Sequence, residues 1–171
     1  HPGTLPKLNK KAVEFAIKMG IALGSKIAPW QNFDRKNYAY PDLPKGYQIT
    51  QDKTPICIGG AIRVRLASGE KSLPFHHVHL EEDAAKLMHE KTQTLVDFNK
   101  SGVPLIEVVT KPCLREMNDA SIYAQYLQRI VQNLNISEAN LEKGEFKSDV
   151  SVSIRKKGSN DLNARTEIKN L

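Results

Sequence analysis

Apolar residues recur at three- and four-residue steps in two places along the chain. Val13, Ala16, Ile17 and Gly20 form one stripe, which predicts a helix over residues 9–23. Asn9 supplies a side-chain oxygen to cap its first turn, and Gly24 can end it. The second stripe is longer: Ala120, Tyr123, Ala124, Leu127, Ile130, Val131 and Leu134. It predicts a helix that begins at Asn118 or Asp119 and ends at Asn135. Elsewhere the period is two. Residues 47–50, 61–66, 75–82, 147–155 and 163–168 read as strands. Gly59-Gly60, Ser68-Gly69 and the run 157–160 supply turns between them. Residues 87–99 are ambiguous, with a short strand favoured at 94–98. Residues 103–110 are apolar on both faces, which predicts a strand inside a sheet or covered on both sides. Residues 28–44 are punctuated by Pro29, Pro41 and Pro44 and read as an extended loop rich in aromatic residues.

Strands outnumber helices and hairpin turns are frequent. The expected fold class is therefore α+β, a largely antiparallel sheet with packed helices. A length of 171 residues suits one domain, 1–171, and no apolar run approaches the ~18–20 residues of a membrane helix. The chain opens on His1-Pro2 and stops inside a segment read as a strand, so it reads as a fragment cut from a longer protein at both ends.

Two positions break the apolar pattern. Glu107 shares a strand face with Val103, Leu105 and Val109, and both faces there are apolar, which predicts burial. A buried carboxylate without a partner costs several kcal/mol, so it must be protonated, paired or metal-bound. Glu82 points with Val78 and Leu80, whereas His77, His79 and Glu81 share the opposite face. Two inward carboxylates on different strands can form a Mg²⁺ site, since that ion takes oxygen ligands. A buried ion pair with Lys or Arg is the other reading. His76, His77 and His79 read either as a transition-metal cluster or as partly exposed strand residues.

Residues 33–49 interleave basic, aromatic and proline positions. Arg and Lys there can hold phosphates or carboxylates, and Tyr can stack on a base. Lys plus Arg number 25 against 19 acidic residues, a formal charge of +6, and the pI near 9.3 leans toward an anionic partner. No GxGxxG or P-loop motif is present. Cys57 and Cys113 lack metal or redox spacing, which suits a reducing compartment.

The segment 33–48 resembles the signature of the GatB family, the B subunits of aspartyl/glutamyl-tRNA amidotransferases. His79-Leu80-Glu81-Glu82-Asp83, Gly102-Val103-Pro104-Leu105-Ile106-Glu107 and Arg165-Thr166-Glu167-Ile168-Lys169-Asn170-Leu171 match it in the same order. Pro2-Gly3-Thr4-Leu5-Pro6 and Leu8-Asn9 match the segment before the first helix. The resemblance implies a glutamine synthetase-like cradle fold and a fragment of the catalytic domain. It also implies a reaction: ATP, with Mg²⁺, phosphorylates the side-chain carboxylate of Glu or Asp misacylated on tRNA(Gln) or tRNA(Asn). Ammonia channelled from the glutaminase A subunit then forms the amide, and the complex is completed by the small C subunit.

By the same resemblance Glu82 and Glu107 match metal-binding carboxylates, with Glu82 also at the gate where ammonia arrives. Lys36, Tyr38 and Lys45 match polar residues at the end of the ammonia path. Arg35, Gln48, Asp83, Lys86, Arg165 and Lys169 are assigned by motif and charge as nucleotide or substrate contacts. The family's first strand, with a Glu and a His of the metal site, has no counterpart downstream of His1. Residues 141–149 keep Glu142, Gly144 and Asp149 but carry Glu145 and Lys147 where the family has a small polar residue and Arg. A non-catalytic tRNA-binding or assembly module of the same fold is the alternative. The expected setting is bacterial cytoplasm or, in a eukaryote, an organelle, with no membrane association.

Overall fold

The computed structural model of the protein describes Gly3 and residues 5–66 and 68–169, with the side chain of each of these except Met117. Its elements run α1 (Lys10–Ala22), β1 (Lys26–Ile27), β2 (Asp34–Asn37), β3 (Tyr47–Thr50), β4 (Cys57–Ile58), β5 (Ala61–Leu66) and β6 (Gly69–Glu82). They continue with β7 (Lys86–His89), β8 (Thr94–Asp97), β9 (Pro104–Thr110), α2 (Met117–Asn133), β10 (Val150–Val152) and β11 (Thr166–Ile168). Every strand pair among the described residues is antiparallel, which gives the α+β class expected from the pattern. Residues 1–119 and 120–171 form two compact units.

In the first unit α1 begins where Asn9 accepts the backbone N–H groups of Lys11 (2.9 Å) and Ala12 (3.4 Å). Its stripe buries Ala16 and Met19. Gly20 completes that face because the chain passes close: a Cβ there would lie 2.2 Å from the Cys57 sulfur. The helix packs on a five-stranded sheet whose long central strand is β6.

The Gly59-Gly60 pair does not make the turn expected of it. Cys57 pairs with Val78, Ile58 with His77 and Ala61 with Pro74, so β4 and β5 run along one edge of β6 in a single register. The bridging bonds are Gly59 N–H to the His76 carbonyl and Phe75 N–H to the Gly60 carbonyl, both 2.9 Å. Gly60 sits at φ +99°, and a Cβ would lie 2.5 Å from the Leu23 carbonyl oxygen, so only glycine fits this crossing. Phe75, at the bend of β6, is fully buried with Ile56, Leu73, Val64 and Val78 around the core.

β9 covers the other edge of β6, in register His79↔Glu107, Leu80↔Ile106, Glu81↔Leu105 and Glu82↔Pro104. Among the described residues β9 pairs only with β6. The expectation of an interior strand therefore fails: β9 is an edge, and its apolar residues are only partly covered. The 28–44 stretch, expected as a loop, contains β2, which forms a hairpin with β3. Residues 86–97 form the β7–β8 hairpin, one strand more than the pattern suggested.

In the second unit, residues 135–139 turn back on α2. Gln128 Nε2 donates to the Ala139 carbonyl at 2.8 Å and Gln132 Nε2 to the Glu138 carbonyl at 2.9 Å. Strands β10 and β11 form a two-stranded ribbon shorter than the strands expected there. Neither described helix is long and apolar enough to cross a membrane.

Candidate active site

The alternation of β6 decides what the site is made of. Directly opposed residues of an antiparallel pair share a face, so Glu107 lies with His79 and Glu81, while Glu82 lies with Leu80 and Val78 on the other side. The two carboxylates expected to converge are thus on opposite faces. Pairing register cannot be read from either strand alone, and a slip of one residue exchanges the faces.

On the polar face His79 Nε2 lies 3.3 Å from Glu107 Oε2 and 3.4 Å from Glu81 Oε2. Thr50 Oγ1 donates to the same Glu81 oxygen at 3.3 Å. His79 is buried, whereas the Glu107 side chain is 49% exposed. That exposure corrects the burial predicted for Glu107. His79 Nδ1 meets His77 Nε2 at 3.0 Å, and His77 Nδ1 meets His76 Nδ1 at 2.7 Å.

Burial alone would lower the His79 pKa, but its hydrogen bonds to the Glu107 and Glu81 carboxylates, with their charges, push it up to about 9. Burial and the neighbouring His79 and His76 hold His77 below its ordinary value. Glu107 is held low by its hydrogen bond to His79, against burial, with help from the charges of His79, His77 and Lys36. Tyr38 is pushed up by burial and by the negative charges of Asp42 and Glu81. The Lys36 charge thus acts on Glu107, and the Glu81 charge on Tyr38.

The other face holds Glu82. Its Oε2 accepts from Lys45 Nζ in a tight ion pair and from the Ile49 N–H at 3.2 Å. Gln48 Nε2 donates to the Glu82 carbonyl at 2.8 Å. Of the two readings left open for Glu82, the geometry shows the ion pair with Lys. A cavity of about 240 Å³ borders this residue; Glu81 lines it as well, with Leu8, Phe33, Ile49, Leu80 and Pro104 among the other residues. Buried Gln51 pins the arrangement by accepting the Leu80 N–H at 3.0 Å and donating to the Asn32 and Thr54 carbonyls at 3.3 Å.

The remaining predicted residues lie farther out. Arg35 rests on the Tyr47 ring at 4.9 Å from its centre. Asp83 Oδ1 accepts its neighbour's N–H from Ala84 at 3.0 Å. Lys86 is exposed on β7, paired in register with Asp97. Arg165 and Lys169 are exposed in the second unit, where Lys169 pairs with Glu167 at 3.4 Å. Pro2, Thr4, Asn170 and Leu171 of the matched motifs lie outside the described residues. Sequence reasoning missed Glu81 as a ligand candidate and grouped His79 only with its neighbouring histidines. Their spacing of two on one strand face was the available signal.

The ligand atoms of His79, Glu81 and Glu107 all lie within 4.8 Å of one another. One imidazole nitrogen and two carboxylates make a donor set that fits a hard divalent cation. Carboxylate oxygens suit Mg²⁺ and Mn²⁺.

Fold and site together describe an α+β protein with an acidic, histidine-bearing centre on one face of an antiparallel sheet. The chain belongs to the GatB/GatE catalytic domain family, whose profile matches residues 1–171. It is similar to proteins named as the B subunit of aspartyl/glutamyl-tRNA(Asn/Gln) amidotransferase. The one from Clostridium tetani (strain Massachusetts / E88) is 48% identical over 99% of this chain. Those from Clostridium botulinum (strain Eklund 17B / Type B) and Thermodesulfovibrio yellowstonii are 50% and 46% identical over the same share. The chain spans 36% of the length of each of these relatives.

Proposed function

We propose that this chain is the centre at which the full-length B subunit of an amidotransferase activates and amidates Glu-tRNA(Gln), Asp-tRNA(Asn) or both. The His79–Glu81–Glu107 cluster, in a chain matched from end to end by this catalytic-domain family, carries the reading. In the first step an oxygen of the side-chain carboxylate attacks the γ-phosphorus of ATP, giving an acyl phosphate and ADP. In the second, ammonia adds to the acyl carbon and expels phosphate, forming the amide and releasing one proton. Activation is needed because a carboxylate oxygen leaves poorly and phosphate leaves well.

Glu81, Glu107 and His79 would hold the divalent cation, which on binding would neutralise phosphate charge. Lys36, whose charge acts on Glu107, and Tyr38, on which the Glu81 charge acts, would orient anionic substrate groups. Lys45 and Glu82, with the cavity next to them, would border the arrival of ammonia from a glutaminase A subunit. Arg35, Gln48, Asp83, Lys86, Arg165 and Lys169 remain proposed nucleotide or substrate contacts on the strength of motif and charge. The fold would be the family's cradle. Misacylated tRNA and a small C subunit would be the further partners, in bacterial cytoplasm or an organelle.

The test uses the full-length protein co-expressed with its partners and supplied with free ammonia, which bypasses the glutaminase. Glu81→Gln and Glu107→Gln should each lower conversion of Glu-tRNA(Gln) to Gln-tRNA(Gln) by more than about 100-fold, the upper end for losing a metal's supporting partner. Conversion within a few-fold of wild type, with folding intact, would return the chain to the reading of a tRNA-binding or assembly module.

A further inference from the structure

Four consecutive residues, 48–51, bond the end of β6, the strand that carries His79 and Glu81. Gln48 Nε2 donates to the Glu82 carbonyl at 2.8 Å, and the Ile49 N–H donates to Glu82 Oε2 at 3.2 Å. Thr50 Oγ1 donates to Glu81 Oε2 at 3.3 Å, and Gln51 Oε1 accepts the Leu80 N–H at 3.0 Å. At the β9 edge the Asp83 N–H bonds the Val103 carbonyl and the Asp83 carbonyl accepts the Gly102 N–H, at 2.8 and 2.9 Å. Backbone groups alternate between edges, so Leu80 and Glu82 turn theirs to the opposite one. There β4 pairs with β6 as far as Val78, opposite Cys57. Beyond that pair two glutamine side chains stand in for a strand.

Gln51 is the member of this set whose residue type is fixed by its partners. It is 2% exposed, and it faces one N–H, of Leu80, and two carbonyls, of Asn32 and Thr54, both at 3.3 Å. One acceptor and two donors on a single planar group is a side-chain amide. A carboxylate would set an oxygen against two carbonyl oxygens, and an apolar chain would offer none of the three bonds. The N–H it holds belongs to the peptide joining His79 to Leu80, and Glu81 follows. Two of the three cluster side chains therefore hang from backbone that Gln51 ties to residues 32 and 54. A cation site tolerates displacements of only about 0.5 Å in its ligands.

We propose that Gln51 is a positioning residue for the cation site: its amide, by holding the Leu80 N–H, sets the spacing of the His79 and Glu81 ligand atoms, while Thr50 orients the Glu81 carboxylate. This rests on the cation role proposed above for His79, Glu81 and Glu107, and adds the residue that acts on them through the backbone. Cation binding and the Gln51–Leu80 bond are then coupled. The coupling is reciprocal: the bond strengthens cation binding by the factor by which the cation strengthens the bond.

The experiment uses the full-length protein and reads the coupling from both sides. Mn²⁺ titration by electron paramagnetic resonance should show Gln51→Met, of similar size but without the amide, binding at least about tenfold more weakly than wild type. Gln51→Glu keeps an acceptor for the Leu80 N–H and, when protonated, one donor, so its affinity should fall between the two. Hydrogen exchange read by mass spectrometry needs no variant and decides the matter should Gln51→Met not fold. In wild type, saturating Mg²⁺ should slow exchange of the Leu80 amide by at least about tenfold, and by more than it slows amides of α1. Wild-type Mn²⁺ affinity in folded Gln51→Met would overturn the positioning role alone. So would Mg²⁺ that slows Leu80 no more than α1. Wild type that binds no Mn²⁺ would overturn the cation site itself, and the role of Gln51 with it.

Discussion

The two faces of β6 put neighbouring residues to different uses. Glu82 sits among Val78 and Leu80, with Lys45 and the Ile49 N–H on one carboxylate oxygen. Glu81, one residue earlier, faces the other way and shares a single imidazole nitrogen with Glu107. A carboxylate on the apolar side is tolerated only when donors fill it, so Glu82 has its cation built in. On the other side Glu81 is 15% and Glu107 49% exposed, and the partner they share is an imidazole rather than a lysine. Adjacent glutamates in one motif thus differ in chemistry because a strand alternates.

That contrast can be broken at several points. The largest effect belongs to the core beneath the bend: Phe75→Ala should cost about 3–5 kcal/mol in urea unfolding, since the ring is fully buried. Next is Gly20→Ala, which drives a methyl into the buried Cys57 sulfur and should cost about 1–3 kcal/mol. In the same denaturation series Glu82→Gln should cost about 1–3 kcal/mol by leaving Lys45 without its carboxylate, while divalent-cation binding is unchanged. Cys57, its thiol pushed up to about 11 by burial, should resist alkylation at neutral pH until the protein unfolds, as mass spectrometry would detect.

The smallest effect is a titration. In metal-free protein, NMR should show His79 losing its proton near pH 9 rather than near 6.5. Because the folded value is raised, its contribution to stability is complete below about pH 6.5 and is lost as pH rises through 9. A bound divalent cation competes with that proton, so saturating Mg²⁺ should move the transition to lower pH.

Much of this was legible in the sequence. The stripe from Val13 to Gly20 and the Asn9 cap placed α1 to within a residue or two, because helix periodicity is local. The alternation in 75–82 correctly put His77, His79 and Glu81 on one face. What local pattern could not supply was pairing. Glu107 looked buried because Val103, Leu105 and Val109 surround it in sequence. In the structure its side chain is 49% exposed. Its partners follow from the His79↔Glu107 register. The Gly59-Gly60 pair likewise read as a turn, because nothing local reveals that both flanking strands share one partner. The family resemblance matched Glu82 to the metal, whereas the strand's alternation puts Glu81, not Glu82, on the face of Glu107.

Cation binding by the full-length protein tests that distinction most directly. Mn²⁺ titration followed by electron paramagnetic resonance, on wild type, Glu81→Gln, Glu107→Gln and Glu82→Gln, compares the two faces in one experiment. The account predicts that Glu81→Gln and Glu107→Gln each weaken binding by at least about tenfold, while Glu82→Gln binds as wild type does. Loss of binding in Glu82→Gln with Glu81→Gln unaffected would contradict it and move the metal to the other face of the strand.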